Sequence, residues 1–169
     1  MNTTLATARL RIHVDINVGD PIWPEPTRVS LPRLRGGNPI ELAGYPLHMV
    51  YAEKIITAMQ RGTANTRWRD FGDVYTLMRQ HPIDGTALHR ACAEVATHRK
   101  VTVEPLGLVL DGYAELAQAR WAMWRRRGGF DHLPQDFATV LAAVIAFAHP
   151  PLAGEVDGLS WDPSSLAWQ

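Results

Sequence analysis

Lys54 stands where a lysine needs a reason. It follows Leu47 by seven residues and Tyr51 by three, and it precedes Ala58 by four. On a helix those offsets put it inside the apolar stripe. An ammonium there must snorkel to water, pair with an acid or face a ligand. The first two readings are structural. On the third, a compact charge with three donors suits a triphosphate. Downstream, the run Arg67-Trp68-Arg69-Asp70-Phe71-Gly72-Asp73 offers two acids on one helix side, with Arg67 and Arg69 each a turn before one of them. That pattern is either a surface salt-bridge ladder or the charged part of a site. Gly72 in a helix interior is unfavourable by about 1 kcal/mol against alanine, which implies close approach of another backbone or a substrate. The link Gly62-Thr63-Ala64 is short, so the two helices should be antiparallel neighbours and Lys54 should meet Asp70 and Asp73.

Two further groups could do chemistry. Leu10 to Val18 alternates Leu10, Ile12, Val14, Ile16 and Val18 with Arg11, His13, Asp15 and Asn17, a strand with one buried face. Its polar face is either solvated or aims Asp15 into a cleft beside a cation or metal. Arg120, Arg125, Arg126 and Arg127 surround Trp121 and Trp124. This is either a helix C-terminus charged to suit its dipole, with the indoles in the core, or a patch that holds phosphates and stacks bases of RNA.

The elements that position these residues fall into two blocks. After the strand, Gly19-Asp20-Pro21 ends the run, and Pro21, Pro24 and Pro26 stiffen a connection carrying Trp23. Thr27 to Leu31 and Ile40 to Leu42 are short strands about the turn Gly36-Gly37-Asn38. From Pro46 the pattern is helical, with helices expected over Pro46–Arg61 (stopped by Gly62), Asn65–Gln80, Asp84–His98 (Asp84 as N-cap), Leu110–Arg127 and Pro134–Ala148 (stopped by Pro150-Pro151). The tail after Gly154 reads as irregular, with Trp161 and Trp168 available to pin it. A sheet-rich start before a helical remainder implies an α+β class, a small mixed or antiparallel sheet over residues 1–45 followed by a helical bundle over 46–169.

The chain has 169 residues, with 17 Lys+Arg against 17 Asp+Glu, so a general electrostatic coat for nucleic acid is excluded and a local basic groove is not. A single cysteine, Cys92, excludes an internal disulfide framework. Its apolar run Phe137–Ala148 is too short to span a bilayer, and the first ten residues lack a signal-peptide pattern. No membrane association and a cytoplasmic location are expected.

The run YPLHMVYAEKIITAMQRGTANTRWRDFGDVYTL, preceded by HVDINVGDP, resembles the AbiEii/AbiGii type of nucleotidyltransferase toxin. The family's Ala-Glu-Lys helix corresponds to Ala52-Glu53-Lys54, and its Arg-Asp-x-x-Asp helix to Arg69-Asp70-Phe71-Gly72-Asp73. The resemblance implies a polymerase-β-like nucleotidyltransferase fold, Mg²⁺ held by carboxylates, NTP as substrate, RNA (the 3′ end of tRNA) as acceptor, and a cognate antitoxin as partner. It implies that Lys54 contacts the triphosphate with Arg67 and Arg69 beside it, that Asp70 and Asp73 support the site, and that Asp15 is an acid at the metal. Arg125, Arg126 and Arg127 are the candidate RNA contacts. The family's first motif, Gly-Ser followed by Asp-x-Asp or Asp-x-Glu, has no counterpart in these residues. The chain is therefore expected to correspond to the C-terminal two-thirds of such a protein. On that expectation the 169 residues alone do not transfer nucleotides to tRNA, a form carrying the motif does, and the alternative is an inactive member that binds antitoxin or RNA. A strand without its neighbour presents an open edge, so self-association into a homodimer through Leu10–Val18 is a further expectation.

Overall fold

The stripe Met49, Ala52, Ile55, Ile56 and Met59 is long enough and regular enough to commit residues Leu47–Arg61 to a helix (α1), and all five side chains are buried. Pro46 precedes its first turn and Gly62, at φ +52°, ends it, as a residue free to take a left-handed φ should. The computed structural model describes residues 2–5, 8–11, 19 and 21–169. In it, one turn of 3₁₀ helix (Gly62–Ala64) leads from α1 towards α2 (Trp68–Met78). Asn65 sets the start of α2: its Oδ1 accepts from Arg67 N at 2.8 Å, and its carbonyl accepts from Tyr113 Oη at 3.0 Å. The helix thus begins three residues later than the expected Asn65, because that side chain makes a turn instead.

Asp84 caps α3 (Gly85–Arg99) through a 2.7 Å bond from Ala87 N. An unexpected short helix, α4 (Leu106–Val109), precedes the helix expected from Leu110 to Arg127, which is α5 (Tyr113–Gly128) and starts three residues later. Gly112 separates the two at φ +73°. The buried residues Leu106, Leu110, Tyr113, Ala117 and Trp121 keep three- and four-residue spacing across the break, so periodicity alone cannot reveal it.

The last helix, α6 (Phe137–Ala153), corrects another expectation, since Pro150 and Pro151 lie inside it. Proline removes one amide donor to the carbonyl four residues back. For Pro151 that carbonyl is Phe147 O, and Trp168 Nε1 donates to it at 3.1 Å instead. The proline carbonyls are used as well: Pro150 O accepts from Glu155 N at 2.9 Å, and Pro151 O accepts from His89 Nδ1 at 2.7 Å. A carbonyl only accepts, so His89 carries its proton on Nδ1.

The fold is α+β. Among the described residues the strands form antiparallel pieces: β1 (Asn2–Leu5) with β2 (Ala8–Arg11), β3 (Thr27–Leu31) with β4 (Ile40–Gly44), and β5 (Ile83–Asp84), β6 (Ser160–Asp162) and β7 (Ala167–Trp168) in one small sheet. The tail after Gly154, expected to be irregular, is therefore partly strand, and Trp161 is buried with Nε1 donating to Met78 O at 2.6 Å. Of the strand expected over Leu10–Val18, Leu10 and Arg11 belong to β2; residues 12–18 lie outside the described residues. The β3–β4 register pairs Val29 with Leu42 and Leu31 with Ile40, and all four side chains remain exposed. The core lies among α1–α6 and is rich in rings: Phe71, Tyr113, Phe137 and Trp121 at one end, Tyr51, Phe147, Trp161 and Trp168 at the other. Among the described residues no helix is long and apolar enough to cross a membrane.

Candidate active site

Neighbouring positions on a helix point about 100° apart. In α1 that sends Glu53 and Lys54 to different neighbours. Lys54 faces α2, where its Nζ lies 2.9 Å from Asp70 Oδ1 and 2.6 Å from Asp73 Oδ2. Glu53 faces the end of α3 and pairs with Arg99 Nη2, while Arg99 Nη1 donates to Thr57 Oγ1 at 2.6 Å. Asp70 is buried, and its second oxygen accepts from Arg67 Nε at 2.7 Å. It also stands in the first turn of α2, where the helix dipole favours a negative charge. Asp73, one turn on, keeps half of its side chain exposed.

Two carboxylates around one ammonium raise the pKa of Lys54. Burial is the largest single influence and acts downwards, but the hydrogen bonds to Asp73 and Asp70 and their charges together outweigh it. Lys54 is thus a cation at any physiological pH. Two of its three N–H groups point at Asp70 and Asp73, which leaves one for a ligand.

Lys54 lines a cavity of about 10 Å³, no bigger than one water, and two far larger openings. The larger, of about 710 Å³, is bordered by Val50, Glu53, Lys54, Thr57, Arg67, Asp70 and Arg99 together with Ile22, Tyr45 and Gly19. Its walls carry the cations Lys54, Arg67 and Arg99 against Glu53 and Asp70, and with Asp73 on Lys54 the charges balance, 3 − 3 = 0. The smaller, of about 380 Å³, lies on the Asp73 side and is bordered by Gly72, Thr76, Leu77, Trp124, Phe130, His132 and Leu133.

The other expected site residues separate. Arg69 is exposed and has no ion pair among the described residues. Asp15 lies outside the described residues, and so does Asp20. Of the three arginines, Arg125 is turned inward: its Nε donates to Leu133 O at 2.7 Å, and its Nη2 donates to Asp131 O and lies 3.3 Å from Asp131 Oδ1. It closes the loop after α5 and is not open to RNA. Arg126 and Arg127 are exposed. Trp121 is fully buried, with Nε1 donating to Pro134 O at 3.0 Å, so it cannot stack on a base. The glycine at position 72 is explained by these indoles and not by a backbone or a substrate. A Cβ there would lie 3.3 Å from both Trp121 Cη2 and Trp124 Cη2.

Sequence reading missed Arg99, Thr57, Phe130 and His132. Glu53 and Arg99 are 46 residues apart, and no local pattern links them. Phe130 and His132 sit in the loop after α5, where periodicity carries no signal.

The donor set can also be tested for a metal. Among the described residues no group of three or more His, Cys, Asp or Glu side chains could hold one. The best-placed acids, Asp70 and Asp73, already surround an ammonium, and Asp70 receives a guanidinium as well. The described residues therefore do not fit a Mg²⁺ centre.

A family model described as nucleotidyl transferase AbiEii toxin, type IV TA system, matches residues 1–143. No curated protein and no solved structure matches the chain.

Proposed function

Because the chain belongs to the AbiEii nucleotidyltransferase toxin family of type IV toxin–antitoxin systems, we propose that the larger cavity is where it holds an NTP triphosphate for transfer of the nucleotide to RNA, with the 3′ end of tRNA as acceptor. One observation carries this reading: Lys54, clamped by Asp70 and Asp73, stands with Arg67 and Arg99 at the edge of one cavity. The carboxylates fix the ammonium in place. Its remaining N–H and the outer nitrogens of Arg67 then meet phosphate oxygens with little side-chain entropy left to lose. In the transfer, an RNA hydroxyl oxygen bonds to the α-phosphorus and gives its proton to water, the bond to the bridging oxygen breaks, and pyrophosphate leaves. Lys54 and Arg67 would offset the charge that builds on that leaving group.

The Mg²⁺ implied by the family would need donors outside the described residues. Asp15 is the acid that the resemblance assigns to it, and no step above is routed through the metal. The cognate antitoxin remains the expected protein partner.

Equilibrium binding of NTP to the full chain, followed by incubation with labelled NTP, Mg²⁺ and total tRNA, tests the proposal. Binding that falls tenfold or more in Lys54→Ala is expected. Undiminished binding in that variant would refute the assignment. A second reading is that the chain binds antitoxin or RNA without chemistry; the engagement of Asp70 and Asp73 by Lys54 favours it. Lys54-dependent NTP binding with no label on RNA would select the second reading for these 169 residues.

A further inference from the structure

Lys54 and Val50 border both openings, so the two lie on either side of these residues. Asp70 and Arg67 lie on the larger side, Asp73 on the smaller. The two sides differ in chemistry. The larger is charged. The smaller is bordered by Trp124, Phe130 and His132, whose rings pack on one another: Trp124 to Phe130 is 4.5 Å between centroids at 34°, and Phe130 to His132 is 6.1 Å and edge-on. Leu77 and Leu133 complete the apolar wall. Three polar groups stand at its border: the Asp73 carboxylate, the Thr76 hydroxyl and the exposed His132 imidazole.

We propose that this smaller opening is the nucleobase subsite for the nucleotide whose phosphates Lys54 holds; the inference rests on the triphosphate reading above. A planar heterocycle is the ligand that an opening bordered by aromatic rings, with a few polar groups at its rim, selects. About 380 Å³ is within the usual span for small-ligand pockets, roughly 300–1,000 Å³. Stacking is tolerant of base identity because every base has a π-face. Preference among bases then comes from the edge groups, Asp73 and Thr76 as acceptors and His132 as donor or acceptor according to its tautomer. Asp73 thereby has two tasks, since the carboxylate that fixes Lys54 also borders the base. The loop Gly129–Leu133 that supplies Phe130 and His132 is held by the inward-turned Arg125, so Arg125 acts on the subsite as a positioning residue.

The test compares ATP, GTP, CTP and UTP with inorganic tripolyphosphate and with free nucleosides by calorimetry. It uses the full chain and the variants His132→Ala, Phe130→Leu and Lys54→Ala, with circular dichroism to check folding. At least one NTP should bind about fivefold or more tighter than tripolyphosphate. That advantage should vanish in His132→Ala and Phe130→Leu, while tripolyphosphate affinity stays the same. Lys54→Ala should weaken both ligands. If Phe130→Leu fails to fold, His132→Ala decides, because its side chain is exposed. Equal binding of NTP and tripolyphosphate, or an advantage that survives the ring variants, overturns the subsite and leaves the triphosphate reading standing. Nucleoside binding that depends on Phe130 and His132, with no tripolyphosphate binding, overturns the triphosphate reading and keeps the subsite. Binding of none of these ligands overturns both.

Discussion

Lys54 Nζ and Asp70 Oδ1 lie 2.9 Å apart across the contact of α1 and α2, with only a tenth of the Asp70 side chain exposed. The same aspartate takes Arg67 Nε on its other oxygen, so it is the acid on which both cations depend. Breaking a buried pair on one side costs about 3–5 kcal/mol. Lys54 keeps a fifth of its surface, which lowers the expectation for Asp70→Ala to about 2–3 kcal/mol. Asp73→Ala should cost less than half of that, because its side chain is half exposed. Double-mutant cycles in urea should give the larger coupling to Lys54–Asp70. A larger coupling to Lys54–Asp73 would reverse the assignment of the anchoring acid.

Stability should fall on the alkaline side. Burial pushes the Cys92 thiol up to about 12 from 9.0 and the Tyr113 hydroxyl up to about 12 from 10.0. Burial raises Tyr51 as well, and Lys54 lies above 10.5. Each group holds its proton more tightly when folded. Its contribution is therefore complete below the unfolded pKa and is lost as pH rises towards the folded value. Urea unfolding should show a plateau up to about pH 9 and a decline beyond, with thiol ionisation acting first. In Cys92→Ala the decline should begin about one pH unit later. The same onset in that variant would show that the thiol contributes nothing to it.

Gly72→Ala should destabilise although alanine is the better helix former. The gain in propensity is about 1 kcal/mol. Against it stand contacts of 3.3 Å to two indoles and 3.4 Å to Leu133 Cδ1. Trp121 has no room to yield, being fully buried and hydrogen-bonded to Pro134 O. Overpacking costs about 1–3 kcal/mol, so a net loss of about 1 kcal/mol is expected in chemical denaturation. A more stable variant would mean that the rings shift freely.

The three consecutive arginines should behave differently. Arg125→Ala removes the bonds to Leu133 O and Asp131 O and should lower the melting temperature. Arg126→Ala and Arg127→Ala should change stability by no more than about 0.5 kcal/mol. If the RNA reading holds, those two should weaken RNA binding and flatten its salt dependence. RNA affinity untouched by both would remove this end of α5 from the interface.

Much of the helical part was legible because its signals are local. Lys54 in a stripe, Asp70 and Asp73 on one face, and Asp84 before α3 each follow from spacing within a single element. Features joined by distant residues were not legible. Glu53 and Arg99 form the other wall of the larger cavity without a pattern that links them. The break at Gly112 is hidden because the buried seam runs straight across it. Pro151 reads as a stop until Trp168 is seen on the carbonyl of Phe147. The candidate site shows the same division: its cationic centre was legible, and its aromatic side was not beyond Trp124, because Phe130 and His132 stand on a loop.

The Trp168 bond to Phe147 O has a consequence for the order of events during synthesis. Residues 160–169 leave the ribosome after α1–α6 have been made. Until they arrive, the last turns of α6 lack a donor that Pro151 does not provide, and Phe147 lacks the ring stacked upon it. The helical part can collapse early, but its far end is sealed last, and the nascent chain presents an apolar face in the interval. A ribosome stalled just before Trp161 should therefore carry a protease-sensitive α6, and one stalled far enough beyond Gln169 to expose the whole tail should carry a resistant one.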